Sequence, residues 1–424
     1  MPPTAVTSPT ELDMGPSIHD TRYYNCYSEV LSVSTTMKNR AALVGWAAIT
    51  ALAVFYAPMA IEYTWRLFHP GSPELWNHAY AGIVDHDEAY GSGSIHAVEA
   101  TRYADNRWTL LFHTTTGGVA ILLFAAQFSS RLRRNLRRHR ILGRVALSVA
   151  LIGMLGAMVY LLAVGPHGTF DGPAFHLQLW ALAIGTTIAI VLGFAAVRQR
   201  QIAMHQALMA YAFALLLTAP LLRVAYLVLG SAWPDSTQLE TNLAGAAFLA
   251  TWAPFGAFLA ARGMDHTERR SAGIRPLPGR RLDIAMAVTA AVATAGLGAS
   301  YRSAFGSLDR VTTTSIVALV AAVAVASTNL LAARRLGRPA AADEWRTMLL
   351  ALAAAPLATL ILWQVYAISF SDADAFGGAL LTGPAVPVSL GFLVVTWRRR
   401  RVRRPEPTTD WDFHPPTDEV AAPV

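Results

Sequence analysis

Ten apolar stretches recur along the chain, each near the roughly 20 residues a helix needs to cross the hydrocarbon of a bilayer. They fall at 41–63, 109–128, 141–164, 177–197, 205–229, 243–261, 282–299, 315–331, 348–370 and 378–397. The pattern predicts an all-α fold, a polytopic bundle of about ten transmembrane helices.

The polar segments between the stretches are unequal. Arg131, Arg133, Arg134, Arg137, Arg138 and Arg140 lie between the second and third. Arg198 and Arg200, then Arg269, Arg270, Arg280 and Arg281, then Arg334, Arg335 and Arg338 occupy later alternate loops, and Arg398–Arg401 follow the last stretch. The intervening loops hold only Arg66, Arg102, Arg107, Arg302 and Arg310. Threading ten spans puts every basic loop on one side, which the positive-inside rule makes cytoplasmic. The expectation is a multi-pass protein of the cell membrane with both termini in the cytoplasm.

The expected organisation is a disordered tail at 1–40, a first membrane unit at 41–261, a linker at 262–281, a second, scaffold-like unit at 282–397 and a disordered tail at 398–424. The segment 315–366 repeats the plan of 178–226: two apolar helices joined by a short arginine-bearing loop. The later copy has no histidine in its spans, which suggests a helix-pair duplication whose second member serves as scaffold.

Composition agrees. The 424 residues are 54% hydrophobic and only 14% charged, against about 25% charged in soluble domains, so lipid is the solvent for much of the surface. The net charge of +7 sits in arginine runs at span ends, which argues against a nucleic-acid partner. Cys26 is the single cysteine, which excludes an internal disulfide and a cysteine-ligated metal cluster within one chain.

Candidate chemistry rests on histidines. His113, His139, His176 and His205 fall at the ends of four consecutive spans, alternating outer and inner. In a bundle they form an outer pair and an inner pair, as two stacked haems need. The arrangement resembles the dihaem cytochrome b pattern, one ligand per helix over four helices. An imidazole at a span end can also simply sit among headgroups.

Arg223 lies inside the fifth span, roughly 9 Å from its outer end at 1.5 Å per residue. A cation at such depth is costly and is usually functional or internally paired. The interval from His205 to Arg223 is five whole helical turns, so both share one stripe. On the second span, Gln127 projects within about 40° of His113. The outer loop 64–108 is rich in His, Asp and Glu. Its run Asp85-His86-Asp87-Glu88 matches no defined metal motif and reads as a solvated acidic loop.

The second to fifth spans resemble a family of bacterial predicted membrane proteins catalogued as domain of unknown function 2306. The residues that carry the resemblance are Phe112-His113, Gly117, Gln127-Phe128, the run His139-Arg140-x-x-Gly143-Arg144, His205 with Met209, and Leu222-Arg223. The chain has Leu208 where the family usually has Trp, and Tyr211 where it has Arg. His176 stands outside the family pattern, so the resemblance keeps the inner pair, His139 and His205, and drops the outer one. It implies residues and no reaction.

Three readings follow. The first is a redox or cofactor-binding membrane protein, with His139 and His205 as metal ligands to a b-type haem and Arg223, His113, Gln127 and Arg144 around the cofactor. The second is a proton-coupled transporter, to which an internal repeat is congenial. The third is a structural or assembly protein. Membrane lipid is the expected environment in each, with a redox partner or small-molecule substrate in the first two.

Overall fold

The computed structural model of the protein describes residues 43–69, 71–92, 94–264 and 279–402. The expected tails at 1–40 and beyond 402, with Cys26, lie outside the described residues, as does most of the 262–281 linker. The chain divides into two compact units, Met1–Ala51 and Leu52–Val424.

The described residues form helices α1 (Leu43–Trp65), α2 (Leu75–Ile83), α3 (His86–Tyr90), α4 (Ile95–Val98), α5 (Ala100–Asp105), α6 (Arg107–Gln127), α7 (Ser130–Arg134), α8 (Leu136–Gly168), α9 (Gly172–Arg198), α10 (Ile202–Leu216), α11 (Thr218–Ala232), α12 (Gln238–Met264), α13 (Arg280–Phe305), α14 (Arg310–Arg335), α15 (Pro339–Tyr366), α16 (Asp372–Thr382) and α17 (Ala385–Val402). Among the described residues nine continuous helical spans are long and apolar enough to cross a membrane, counting Asp372–Arg399 as one, and a bent pair, α10 with α11, makes a tenth if taken as one span. Large apolar side chains such as Leu155, Leu162, Val292 and Ile361 stand exposed on the outer faces of these helices, as lipid-facing positions do. The protein is therefore an integral membrane protein of the polytopic helical class.

Side-chain caps start several helices. Asn135 accepts from the Arg138 backbone at 3.1 Å on α8, and Asp309 caps α14 by accepting from Thr312 N at 2.6 Å. Breaks fall at glycine and proline. Gly165 adopts φ 67°, ψ 177° just before Pro166 and kinks α8. The fifth span, expected to be one helix, is broken at Leu217 with a bend of 41°. Pro220 removes a donor and crowds the preceding turn.

The repeat is longer than the sequence suggests. α8 ends at Gly168 and α13 at Phe305; α9 ends at Arg198 and α14 at Arg335; α10 starts at Ile202 and α15 at Pro339. One constant shift in numbering, that from Gly168 to Phe305, therefore relates all three pairs. The connecting loops have the same geometry. Gln199 (φ −85°, ψ 11°), Arg200 (φ 58°) and Gln201 (φ −90°, ψ 69°) match Leu336 (φ −86°, ψ 6°), Gly337 (φ 61°) and Arg338 (φ −105°, ψ 80°). Arg200 N donates to Val197 O and Gln201 N to Ala196 O; in the later loop Gly337 N donates to Arg334 O and Arg338 N to Ala333 O. Both are Schellman endings. The chain thus contains two four-span copies, α8–α12 and α13–α17, preceded by α1 and α6. α12 packs on α14, and their counterparts reciprocate, α16 packing on α9. An even number of spans per copy is the pattern of a parallel repeat, in which both copies enter the membrane in the same direction.

Candidate functional site

One end of the bundle carries the short helices α2–α5 as a cap; the other carries most of the arginines. Glu62, at the end of α1, accepts from Glu74 N at 3.1 Å and Leu75 N at 3.3 Å and holds the start of α2. Gln238 Oε1 accepts from Ile95 N at 3.2 Å, and Glu88 accepts from Gln238 N at 3.3 Å. These bonds tie the cap to α1 and α12. Asp85 caps α3 through Asp87 N and Glu88 N, so the acidic run is helix-forming. Among the described residues no group of three His, Cys, Asp or Glu side chains converges to hold a metal.

Beneath the cap lies a cavity of about 290 Å³. Its walls come from α1, α6, the cap-end half of α8, α9, α10, α11 and α12, with Trp76, Asn77, His96 and Tyr103 of the cap above. Glycine admits it: Gly117 lines it, and a Cβ built there would meet nothing within 4 Å.

Arg223 and His113 both line this cavity; the single stripe expected from His205 to Arg223 is interrupted by the break at Leu217. The Arg223 guanidinium lies 5.4 Å from the Trp76 ring centre and 5.0 Å from that of Tyr226. Cation–π contacts of this kind are worth about 2 kcal/mol when desolvated. No carboxylate pairs with Arg223 among the described residues. The Tyr226 hydroxyl donates to Asn242 Oδ1 at 2.6 Å, and the Asn242 amide donates to Asp171. Asp171 sits at the mouth of α9 with its other oxygen buried and unbonded. Burial pushes its carboxyl well above the usual range, against the opposing Asn242 bond.

The polar lining is asymmetric in chemistry. His113 Nδ1 bonds the Gly153 carbonyl at 2.9 Å; a carbonyl only accepts, so in the neutral ring Nε2 keeps its lone pair. Gln178, 5% exposed, donates to Ala246 O at 3.2 Å and leaves Oε1 buried without a partner on the cavity wall. In the cap, burial and the nearby Arg66 lower the His96 pKa. The neutral ring accepts from Arg66 Nη2 at 2.5 Å.

The other histidines divide. His176 is fully engaged: Trp180 Nε1 donates to its Nε2 at 3.0 Å, its Nδ1 donates to Thr169 Oγ1 at 2.7 Å, and Thr169 donates to Gly165 O at 2.9 Å. It pins the α8 kink and offers no lone pair to a metal. The outer pair of the four-histidine pattern is thus not available as two ligands.

His139 and His205 start α8 and α10 at the arginine end, within electrostatic reach of each other. His205 Nδ1 donates to Gly193 O at 2.9 Å, the anchoring that leaves Nε2 free as a ligand. His139 Nδ1 is buried and unbonded, as is Gln127 Nε2; Gln127 faces α8 at Gly143. Arg144 is exposed on α8 and joins neither group. The six residues singled out from the sequence therefore separate into a cap-end site with Arg223 and His113 and an arginine-end cluster with His139, His205 and Gln127. Gln178 and the cap residues went unsingled. A glutamine near the start of an apolar run was the one available signal.

Residues 110–254 match the family described as "Predicted membrane protein (DUF2306)". The match covers about a third of the chain, from α6 to within α12, and contains both residue groups. The cap and the second copy lie outside it. No curated protein and no solved structure matches the chain.

Proposed function

We propose that the protein binds a small organic molecule, as cofactor or substrate, in the cavity under the cap, with the arginine end cytoplasmic and the cap on the far side of the cell membrane. The observation that carries this reading is that Arg223, with no carboxylate partner among the described residues, shares an apolar-walled cavity with the bare Nε2 of His113. A buried cation kept in the membrane against its insertion cost needs a return, and a ligand supplies it. The arginine segregation supports the orientation.

The test is native mass spectrometry of the protein purified from its own membrane in non-ionic detergent. A molecule should be retained by the wild type and lost from Gly117→Leu, whose side chain enters the cavity. Equal retention by both, or by neither, overturns the reading.

A second reading has its own observation. His205 presents Nε2 with Nδ1 anchored on a backbone carbonyl, and His139 carries an unbonded buried nitrogen nearby. These two residues would hold a b-type haem, whose iron supplies one-electron transfer when bound. A Soret band after haem-replete expression, lost in His205→Ala, supports it; a colourless wild type sinks it.

A further inference from the structure

We infer that the cavity takes a single-headed anionic amphiphile: a carboxylate on Arg223 and an apolar tail directed toward the bilayer midplane. The inference rests on the binding reading above and names its ligand class. The head assignment follows from charge. Arg223 is the guanidinium on the cavity wall, and its near neighbours are aromatic rings and hydroxyls rather than carboxylates. Arginine presents a planar fork of N–H donors that fits a carboxylate in two bonds. A neutral ligand would leave the charge uncompensated in an apolar site.

The tail follows from how the walls change with depth. The cap end carries Trp76, Asn77, Tyr103 and Arg223, whereas deeper lie Ile121, Met154, Leu182, Leu215 and Leu249. On α9 the lining runs from Phe175 to Thr186, roughly 16 Å at 1.5 Å per residue. The cavity is therefore long, with its cation at the top and a mainly aliphatic wall below, broken by Gln178 and Thr186. Its volume of about 290 Å³ equals about ten water-sized groups at ~30 Å³ each. That admits one medium-length chain. Gln178 Oε1 and His113 Nε2 are acceptors along the wall and would favour a hydroxyl on the chain over a second acid.

The experiment is equilibrium binding of radiolabelled decanoate and decanol to the whole protein in phosphatidylcholine nanodiscs, corrected against empty discs. The wild type should bind decanoate at least tenfold tighter than decanol. Arg223→Gln should lose that preference, and Arg223→Lys should keep part of it. Acetate and inorganic phosphate should not compete at matched concentration. If decanol binds as tightly as decanoate, or Arg223→Gln leaves decanoate binding intact, the anionic class is wrong while the cavity reading stands. If acetate or phosphate competes as well as decanoate, the ligand is a free anion and the amphiphile is overturned. If Gly117→Leu still binds both decanoate and decanol normally, the cavity reading falls with it.

Discussion

The two four-span copies share their helix ends, their Schellman loop and their packing, and they differ at the positions where polar chemistry sits. With the shift that takes Gly168 to Phe305, His205 corresponds to Ala342 and Gln178 to Ser315. Beyond the loop the register changes by one. The interval from Gln201 to Pro220 is one position longer than that from Arg338 to Pro356. One extra residue in a helix turns everything after it by about 100° and has to be absorbed by a bulge or break. The first copy breaks at Leu217, and the second continues unbroken as α15. By the proline register Arg223 corresponds to Thr359, which is fully buried and bonds its own helix at Ala355 O, 3.0 Å. All the cavity's lining comes from outside the second copy. The same scaffold thus lines a polar cavity with its first copy and buries the corresponding position, Thr359, in its second, and a single-residue change in register accompanies the difference.

At the arginine end the contrast reverses. The second copy buries Asp283 between Arg346, at 2.8 Å, and Arg334, where the first copy has Ala146. If the second copy is scaffold, its polar groups should matter more to stability than those of the first. Asp283→Ala leaves buried Arg346 only a 3.9 Å contact with Asp343 and should destabilise by about 3 kcal/mol or more. His205→Ala gives up one bond to Gly193 and should lose about 1 kcal/mol. Thermal unfolding of both variants in the same detergent checks this. A larger loss from His205→Ala would break the assignment of scaffold and site.

Much of this architecture was legible in the sequence because a bilayer demands long apolar runs and sorts arginine by side. All ten spans were readable on those grounds; the stripe from His205 to Arg223 was not, since its count of whole turns assumed one continuous helix and the chain breaks between them at Leu217. The break at Leu217 was not legible: an apolar run looks the same with or without one surplus residue. The four-helix extent of the repeat was hidden because α8 and α13 share lipid-facing composition and little else. His176 stood level with His113 by depth alone. Only the Trp180 and Thr169 contacts, set by side-chain direction, show that its lone pair is used. The cap escaped because its helices are short and held by long-range bonds to Glu62 and Gln238, which no local pattern announces.

A finer test of the comparison lies at the two matching helix starts. Asp309 caps α14 in the ordinary way, while Asp171, at the start of α9, has φ 62° and makes no cap bond. Its carboxyl turns to Asn242 instead and is held well above the usual range by burial. A raised carboxyl favours folding fully below its unfolded pKa, about 3.9, and that contribution is lost as pH rises through the folded value. Wild-type thermal stability should therefore decline from about pH 4 upward, and Asp171→Asn should flatten the decline, since Asn tolerates the left-handed backbone and needs no proton. Unfolding midpoints between pH 4 and 8 check this. A parallel shift of the two curves would mean that the Asp171 carboxyl does not carry this pH dependence.

The smallest effect is expected where the copies meet at the surface. Arg310, the first residue of α14, bonds Asp235 at 2.8 Å and Glu240 at 3.1 Å from the first copy, over the Trp233 ring at 5.3 Å. The Arg310 hydrogen bonds hold the Asp235 carboxyl below its ordinary range. Such a group adds stability above its unfolded pKa, and the addition is lost as pH falls through the folded value. Asp235 is largely exposed, so solvent and salt screen the pair. Asp235→Asn also leaves Arg310 its Glu240 and Trp233 contacts. The midpoint at pH 7 should move by about 2 °C or less, and the difference should vanish in about 1 M salt and shrink as pH falls through the folded carboxyl's value. If Asp235→Asn shifts the midpoint as far as Asp283→Ala, the copies are held together by this surface pair rather than by the buried packing of α12 on α14 and α16 on α9, and the pseudo-symmetric core loses its place as the source of stability.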